Sequence, residues 1–237
     1  MRASSHLNLV EPGNENYRNC SPVFCQGSCG IPGALEKFSR TVSYPAGARL
    51  FVEGELPEGV LLLSRGRAKL TISSRHGKSL MRICSPGEIP GLSAVLSGNA
   101  YEASAEMLDS GLVNFIERAP FLDLLMREAQ VSLYVAQLLS REYQVVHEQV
   151  RMLALSASVA EKMARLLLDW CQGHGKVTAQ GTHLKISLTH SEMAQMIGVT
   201  RETVTRLLSE FKHRQIIQLH GSSLIISDRT ALESIVN

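Results

Sequence analysis

The sequence holds no run of 18 or more apolar residues, and its first 20 residues contain no apolar h-region. Neither a membrane span nor a secretory leader is expected; the expected compartment is the cytoplasm, with no membrane partner. A marked charge surplus is missing too: 24 Lys and Arg stand against 22 Asp and Glu, a net +2. Nucleic-acid binders usually carry an evident basic excess, so a DNA partner would require the positive charge to gather on one surface. There is no Ser/His/Asp arrangement, phosphate loop or His-Glu-x-x-His motif, and the eight histidines are scattered, so nothing points to an enzyme. Cysteines are few and odd in number (Cys20, Cys25, Cys29, Cys84 and Cys171), which argues against a disulfide framework in a cytosolic protein. What is there is ordinary for a folded chain of 237 residues: 44% hydrophobic and 19% charged residues, with length for two modest domains or one large one.

The texture changes three times along the chain. Residues 1–38 are expected to form a flexible tail and a cysteine-bearing loop, because Asn, Ser, Gly and Pro abound and no period is sustained. Over residues 39–126, short apolar runs at Arg49–Val52, Val60–Leu63, Ala68–Ile72 and Leu80–Ile83 read as strands. Gly47, Gly54, Gly59, Gly66, Gly77 and Gly87 fall between or beside them, the pattern of an antiparallel sandwich or barrel. Glycine then vanishes from Leu112 to Trp170 and the period becomes helical. A short helical segment at Ala119–Met126 precedes a long helix expected over about Glu128 to Leu153. Val131, Leu138, Val145 and Met152 recur every seven residues with Val135 between, while Glu142 and Gln149 interrupt the seam. That stripe suits either a dimer coiled coil or a helix packed on its own barrel. Residues 127–156 are assigned to this helix and a hinge at Ser156-Ala157-Ser158, and residues 157–237 to a last domain. That domain opens with a helix at Ser158–Cys171 and a loop at Gly173–Gly181, with strands expected at Lys176–Thr178 and Leu184–Leu188.

The informative stretch is Leu188 to Phe211. Thr189 followed three residues later by Glu192 is a capping box, so a helix should begin at His190 or Ser191. It carries Met193, Met196 and Ile197 on one face and stops at Gly198, where a left-handed residue is wanted. Thr200 can cap a second helix that buries Val204, Leu207, Leu208 and Phe211, and the small Ala194 lets the two helices cross closely. Two short helices sharing an apolar face across a glycine turn form a helix-turn-helix; an ordinary helical hairpin is the alternative.

The outer face of the second helix presents Arg201, Glu202, Thr205 and Arg206. In a major groove Arg can grip guanine O6 and N7 and Glu can accept from cytosine N4, so these four are the candidate base readers. On any other helix Glu202 and Arg206, four apart, would be a solvated ion pair. Arg201 is rotated from Arg206 by roughly 140° and reaches in from the helix start. Thr189, Ser191, Thr200 and Lys212 are the candidate phosphate contacts, which position a protein without reading sequence. Lys212-His213-Arg214 adds local positive charge, and Gln215–Leu219 with Leu224–Ile226 reads as a β-hairpin wing turning at His220–Ser223.

These residues resemble the cyclic-AMP receptor / fumarate-nitrate regulator (CRP/FNR) family of bacterial transcription factors from about Ser39 to Ile226. The resemblance is carried by Gly47-x-Arg49-Leu50-Phe51-x-Glu53-Gly54, Leu63-x-x-Gly66, Pro86-Gly87-Glu88 with Gly91, the long helix, and the run from Gly198 to Arg206. It implies an α+β architecture: an N-terminal antiparallel β-roll (a cupin-like jelly roll), a long dimerisation helix and a C-terminal winged helix-turn-helix. It also implies a homodimer on double-stranded, palindromic DNA, with RNA polymerase as a further partner. Arg201, Glu202 and Arg206 match the family's base-reading positions, in a pattern similar to members that read TGTGA-type half-sites.

Cyclic AMP is not expected as the signal. The places where the family's nucleotide-binding Glu and Arg would stand fall near Leu92 and Tyr101, and no Arg occurs from Ile83 to Glu117, though Arg82 lies just upstream. Cys20, Cys25 and Cys29 resemble instead the amino-terminal cluster of the oxygen-sensing, FNR-type branch, which implies an iron–sulfur cluster of the [4Fe–4S] type. Thiolates suit such clusters, and Cys84 is the candidate fourth ligand ahead of Cys171. The spacing departs from that branch, and Asn114 lies nearer the family's barrel cysteine than Cys84 does. A thiol switch, a zinc site, silent cysteines, an organic effector, and an electron carrier with no DNA role stay open beside a response to oxygen, nitric oxide or redox state.

Overall fold

The computed structural model describes residues 33–74, 79–156, 158–174, 176–178, 181–185, 188–220 and 223–236. Cys20, Cys25 and Cys29 lie outside the described residues. Among the described residues no helix is long and apolar enough to cross a membrane. Two compact units are present: the described residues of Met1–Gly77 and Met81–Tyr143 in one, those of Lys78–Leu80 and Gln144–Asn237 in the other.

The first unit opens with α1 (Gly33–Phe38) and builds two antiparallel sheets. β1 (Arg40–Tyr44), β7 (Gly111–Glu117) and β3 (Gly59–Arg65) form a three-stranded sheet in the order β1-β7-β3. β2 (Arg49–Phe51), β6 (Ser104–Met107), β4 (Ala68–Ser73) and β5 (Ser79–Cys84) form a four-stranded one in the order β2-β6-β4-β5. The helices α2 (Leu92–Ser97) and α3 (Arg118–Arg127) complete this part. Successive side chains of a strand point to opposite faces, and β3 is apolar on both because both are covered. Leu61 and Leu63 face a core shared with Phe51, Ala68, Cys84, Met107 and Val113. Val60 and Leu62 face another with Ile116, Phe121 and Leu124. The unbroken apolar run of this strand is a consequence of its central place.

The long helix is α4 (Ala129–Leu155), two residues longer at its C-terminal end than the periodicity suggests. Val131, Val135 and Leu138 are buried in the core beside Phe121 and Leu124, so in this half the helix packs on its own barrel. Farther along, Val145 of the heptad is 45% exposed, and beside it Tyr143 is 70% exposed, Val146 46% and Val150 55%. Periodicity reports that a face is apolar, but not what covers it.

The second unit contains α5 (Val159–His174), β8 (Lys176–Thr178), β9 (Gly181–Lys185), α6 (His190–Ile197), α7 (Arg201–His213), β10 (Ile217–His220), β11 (Ser223–Ile226) and α8 (Arg229–Val236). Ser158, expected in a hinge, caps α5 by accepting the Glu161 N–H at 3.0 Å. The four strands form one antiparallel sheet, β10-β11-β9-β8, with Ile217 opposite Ile226 and Leu224 opposite Leu184. The expected wing hairpin is thus the β10–β11 edge of a sheet to which the loop after α5 also contributes. Met163, Leu167, Ile197, Val204, Phe211, Leu224 and Leu232 share one core that fastens α5, α6, α7 and α8 to this sheet.

Candidate nucleic-acid interface

α6 begins with a complete capping box. The Thr189 hydroxyl accepts the Glu192 N–H at 3.2 Å, and the Glu192 carboxylate accepts the Thr189 N–H at 2.9 Å. The helix ends at Gly198, whose φ of +69° is the left-handed geometry expected of that turn. Thr200 then caps α7 by accepting the Thr203 N–H at 3.3 Å. Met193, Ala194 and Ile197 of α6 meet Val204, Leu207, Leu208 and Phe211 of α7 in the core, so each helix is held by one face and the other is left outward.

The outward face of α7 is a shallow groove lined by Arg201, Glu202, Thr205, Arg206 and Ser209. Arg201, Glu202 and Arg206 are exposed, and none makes a side-chain hydrogen bond or ion pair with any described residue. The i,i+4 pairing open to Glu202 and Arg206 is not formed. One turn on, Arg214 and Glu210 do pair, at 3.8 Å. The two guanidinium groups and the carboxylate thus keep their hydrogen-bonding capacity for something outside the chain.

The candidate phosphate contacts separate by what they already hold. Besides its cap bond, Thr189 donates its hydroxyl proton to the Glu192 carboxylate at 3.0 Å, and the Thr200 hydroxyl lies 3.0 Å from that of Thr203. Both hydroxyls serve first as caps, which position the N–H groups at the two helix starts. Ser191 and Lys212 are exposed. His190, passed over in the sequence, places its Nδ1 2.9 Å from the Thr205 hydroxyl, across the two helices. No local signal marks a contact between residues 15 apart.

In the first unit the places expected of a nucleotide site are filled with apolar groups. Leu92 is 1% exposed and belongs to the core. Tyr101 stacks on Phe51 with ring centroids 3.8 Å apart, and burial pushes its phenol up to about 12 with Glu58 and Glu55 adding to the shift. Gly91, at φ +74° before α2, lies so close that a Cβ there would meet both rings.

Cys84 is fully buried in the barrel core among Phe51, Leu63 and Met107. Burial pushes its thiol far above the usual range; Arg82 opposes this, while Glu88 and Glu142 reinforce it. A metal or cluster binds the thiolate, and an ion's own charge deprotonates a coordinating thiol, so a ligand role for Cys84 would depend on the ion reaching it in the core. Among the described residues no group of three His, Cys, Asp or Glu side chains could hold a metal ion. Cys171 is likewise buried, and Asn114 is committed within the barrel by accepting from the Thr41 hydroxyl at 2.9 Å.

Beside Cys84 sits a charge cluster that spacing did not disclose. The Arg82 guanidinium bonds Glu88 at 2.8 Å and Glu142 of α4 at 3.1 Å, with the Arg82 side chain only 13% exposed. Burial pushes the Glu142 carboxyl up against the pull of Arg82, and Glu88 and Glu102 push it in the same direction as burial.

Comparison with known proteins gives the same division. A family model described as a Crp-like helix-turn-helix domain matches residues 161–235, and one described as a cyclic nucleotide-binding domain matches residues 41–128. The chain is 27% identical over 202 residues to a CRP-like cAMP-activated global transcriptional regulator of Mycobacterium tuberculosis, covering 84% of this chain and 89% of that protein. It is 26% identical over 214 residues to a global nitrogen regulator of Synechococcus elongatus, covering 87% and 91%. The fold is similar to that of FixK2 from Bradyrhizobium japonicum, with a TM-score of 0.73 at 19% identity, covering 84% of this chain and 98% of that one.

Proposed function

The chain belongs to the CRP/FNR family of DNA-binding transcription regulators, and from that premise we propose that it reads a palindromic operator with the outward face of α7. The observation that carries this is the unpaired state of Arg201, Glu202 and Arg206 on a helix whose opposite face is fully buried. Arg201 and Arg206 address guanine edges and Glu202 a cytosine amine, consistent with TGTGA-type half-sites. Helix N-termini at Thr189 and Thr200, with Ser191 and Lys212, take the phosphates.

Regulators of this family bind DNA as dimers. The dimer contact proposed for this chain runs along Tyr143, Val146 and Val150 of α4, the apolar stripe its own barrel leaves open. Two recognition helices then enter successive major grooves about 34 Å apart. RNA polymerase is the further partner.

The Mycobacterium tuberculosis relative is named for activation by cAMP; for this chain the proposed signal differs. Leu92 and the stacked Tyr101 offer a nucleotide phosphate no charged partner. Oxygen, nitric oxide or redox state, acting at Cys20, Cys25 and Cys29, is the signal proposed, the support being three thiols within ten residues. Those thiols either work by themselves or hold an iron–sulfur cluster, for which Cys84 is the candidate fourth ligand. Selecting bound duplexes from a random pool, with and without oxygen, tests both halves. A recovered inverted repeat with guanines in each half-site is expected, retained more strongly in one atmosphere. Recovery of no shared sequence would overturn the operator, and equal recovery in both atmospheres would overturn the signal.

A further inference from the structure

We propose that His190 is a specificity-positioning residue: its ring holds the Thr205 hydroxyl so that Thr205 meets DNA with its methyl group and selects for the 5-methyl of a thymine. The inference rests on the reading that α7 lies in the major groove, and it assigns one base contact within that reading.

The Thr205 hydroxyl lies 3.0 Å from the carbonyl oxygen of Arg201, which can only accept, so the single hydroxyl proton goes there. His190 Nδ1 lies 2.9 Å from the same Thr205 oxygen. With the hydroxyl proton given to its own helix, the ring nitrogen takes the donor's part in this proposal. The proton therefore sits on Nδ1, and the hydroxyl is held from two sides, by its own helix and by the start of α6.

A hydroxyl in that state has no proton to offer a guanine or thymine acceptor in the groove. What Thr205 retains for a partner is its γ-methyl and one lone pair. Among the five residues that line the groove it alone bears a methyl group. Ser209, one turn on, is tied down in the same way, with its hydroxyl donating to the Thr205 carbonyl at 2.9 Å, and has no methyl to present. Contact between a Thr methyl and the thymine C5-methyl is an established mode of direct readout, and Arg201 and Arg206 on either side would fix its place in the half-site.

The test uses the full chain and its selected operator, with deoxyuridine replacing each thymine in turn so that only a methyl is lost. At one thymine in each half-site the wild type is expected to bind about three- to fivefold more weakly, the scale of one buried methyl. Thr205→Ser, which keeps the hydroxyl, is expected to bind thymine and uracil duplexes equally. His190→Ala is expected to lose the thymine preference, and His190→Asn, whose amide still donates, to recover part of it. Should the Ala variant bind nothing, the Asn variant decides: preference kept supports the proposal, preference lost overturns it. Wild type that binds the operator with no methyl dependence at any thymine overturns this contact alone, as does His190→Ala with an unchanged preference. Wild type that binds no selected duplex overturns instead the reading of α7 on which it rests.

Discussion

Arg82→Met is expected to destabilise the first unit by about 3 kcal/mol at neutral pH, the cost of removing one partner from a largely buried ion pair. Methionine keeps most of the side-chain volume, so the loss reports charge and not a cavity. Without the guanidinium, Glu88 and Glu142 are left facing each other with no cation between them, and Glu102 adds to the repulsion. The pH dependence has a definite sign. Burial already holds the Glu142 carboxyl above its ordinary value, and loss of Arg82, the opposing influence, raises it further. The folded variant then binds protons more tightly than its unfolded chain, so its stability rises as pH falls through that raised range. The deficit against wild type is expected to shrink between about pH 7 and pH 5. Circular dichroism during urea unfolding reports both units together, and fluorescence of Trp170, the sole tryptophan, reports the second alone, so a transition seen only by the former belongs to the first unit. A deficit that is absent, or that grows on acidification, would contradict the cluster's role.

Arg206→Ala is expected to relax discrimination at one guanine of each half-site by about 1–3 kcal/mol, roughly five- to 150-fold in relative affinity. This guanidinium has no partner among the described residues, so truncating it is expected to remove the proposed contact to DNA and leave the fold intact. Competition binding against duplexes carrying each base at that position reads the effect. Lys212→Ala is the control, since loss of a phosphate contact weakens all sequences alike. An Arg206→Ala variant that loses affinity evenly on every duplex would place Arg206 on the backbone, and the base-reading role would fail.

The parts of this protein that local chemistry encodes were legible in its sequence. Thr189, Glu192, Gly198 and Thr200 mark two helix boundaries through caps that span three or four residues, and the structure places each where the spacing puts it. Val60–Leu63 could be read as a strand because a strand covered on both faces must be apolar throughout. Other elements carry no such mark. β6, Ser104–Met107, has two apolar residues in four, and β7 contains Asn114, whose buried side chain is satisfied by Thr41, 73 positions away. A polar residue whose partner is that remote reads as a break in the pattern.

The seam of α4 stayed open between two readings for a related reason. Val131, Val135 and Leu138 obey the heptad, but the barrel is close enough to take them, and the stripe through Tyr143, Val146 and Val150 takes their place. Cys84 illustrates the limit for sites. Thiols in a sequence look alike, whereas the fold places this one wholly in the barrel core, where burial pushes it up. His190 and Thr205 meet only because α6 and α7 cross, a fact of tertiary packing that neither residue announces.

The central claim is that α7 carries free charges for the grooves and phosphates of a specific duplex. Its most direct measurement is the salt dependence of binding to the selected palindrome and to a scrambled duplex of equal length, for wild type and for a variant with Arg201, Glu202 and Arg206 all changed to Ala. Wild type is expected to lose affinity steeply on both duplexes as salt rises while preferring the palindrome throughout. The triple variant is expected to keep a salt-dependent affinity with no preference between them. A triple variant that still distinguishes the palindrome as wild type does would contradict the account.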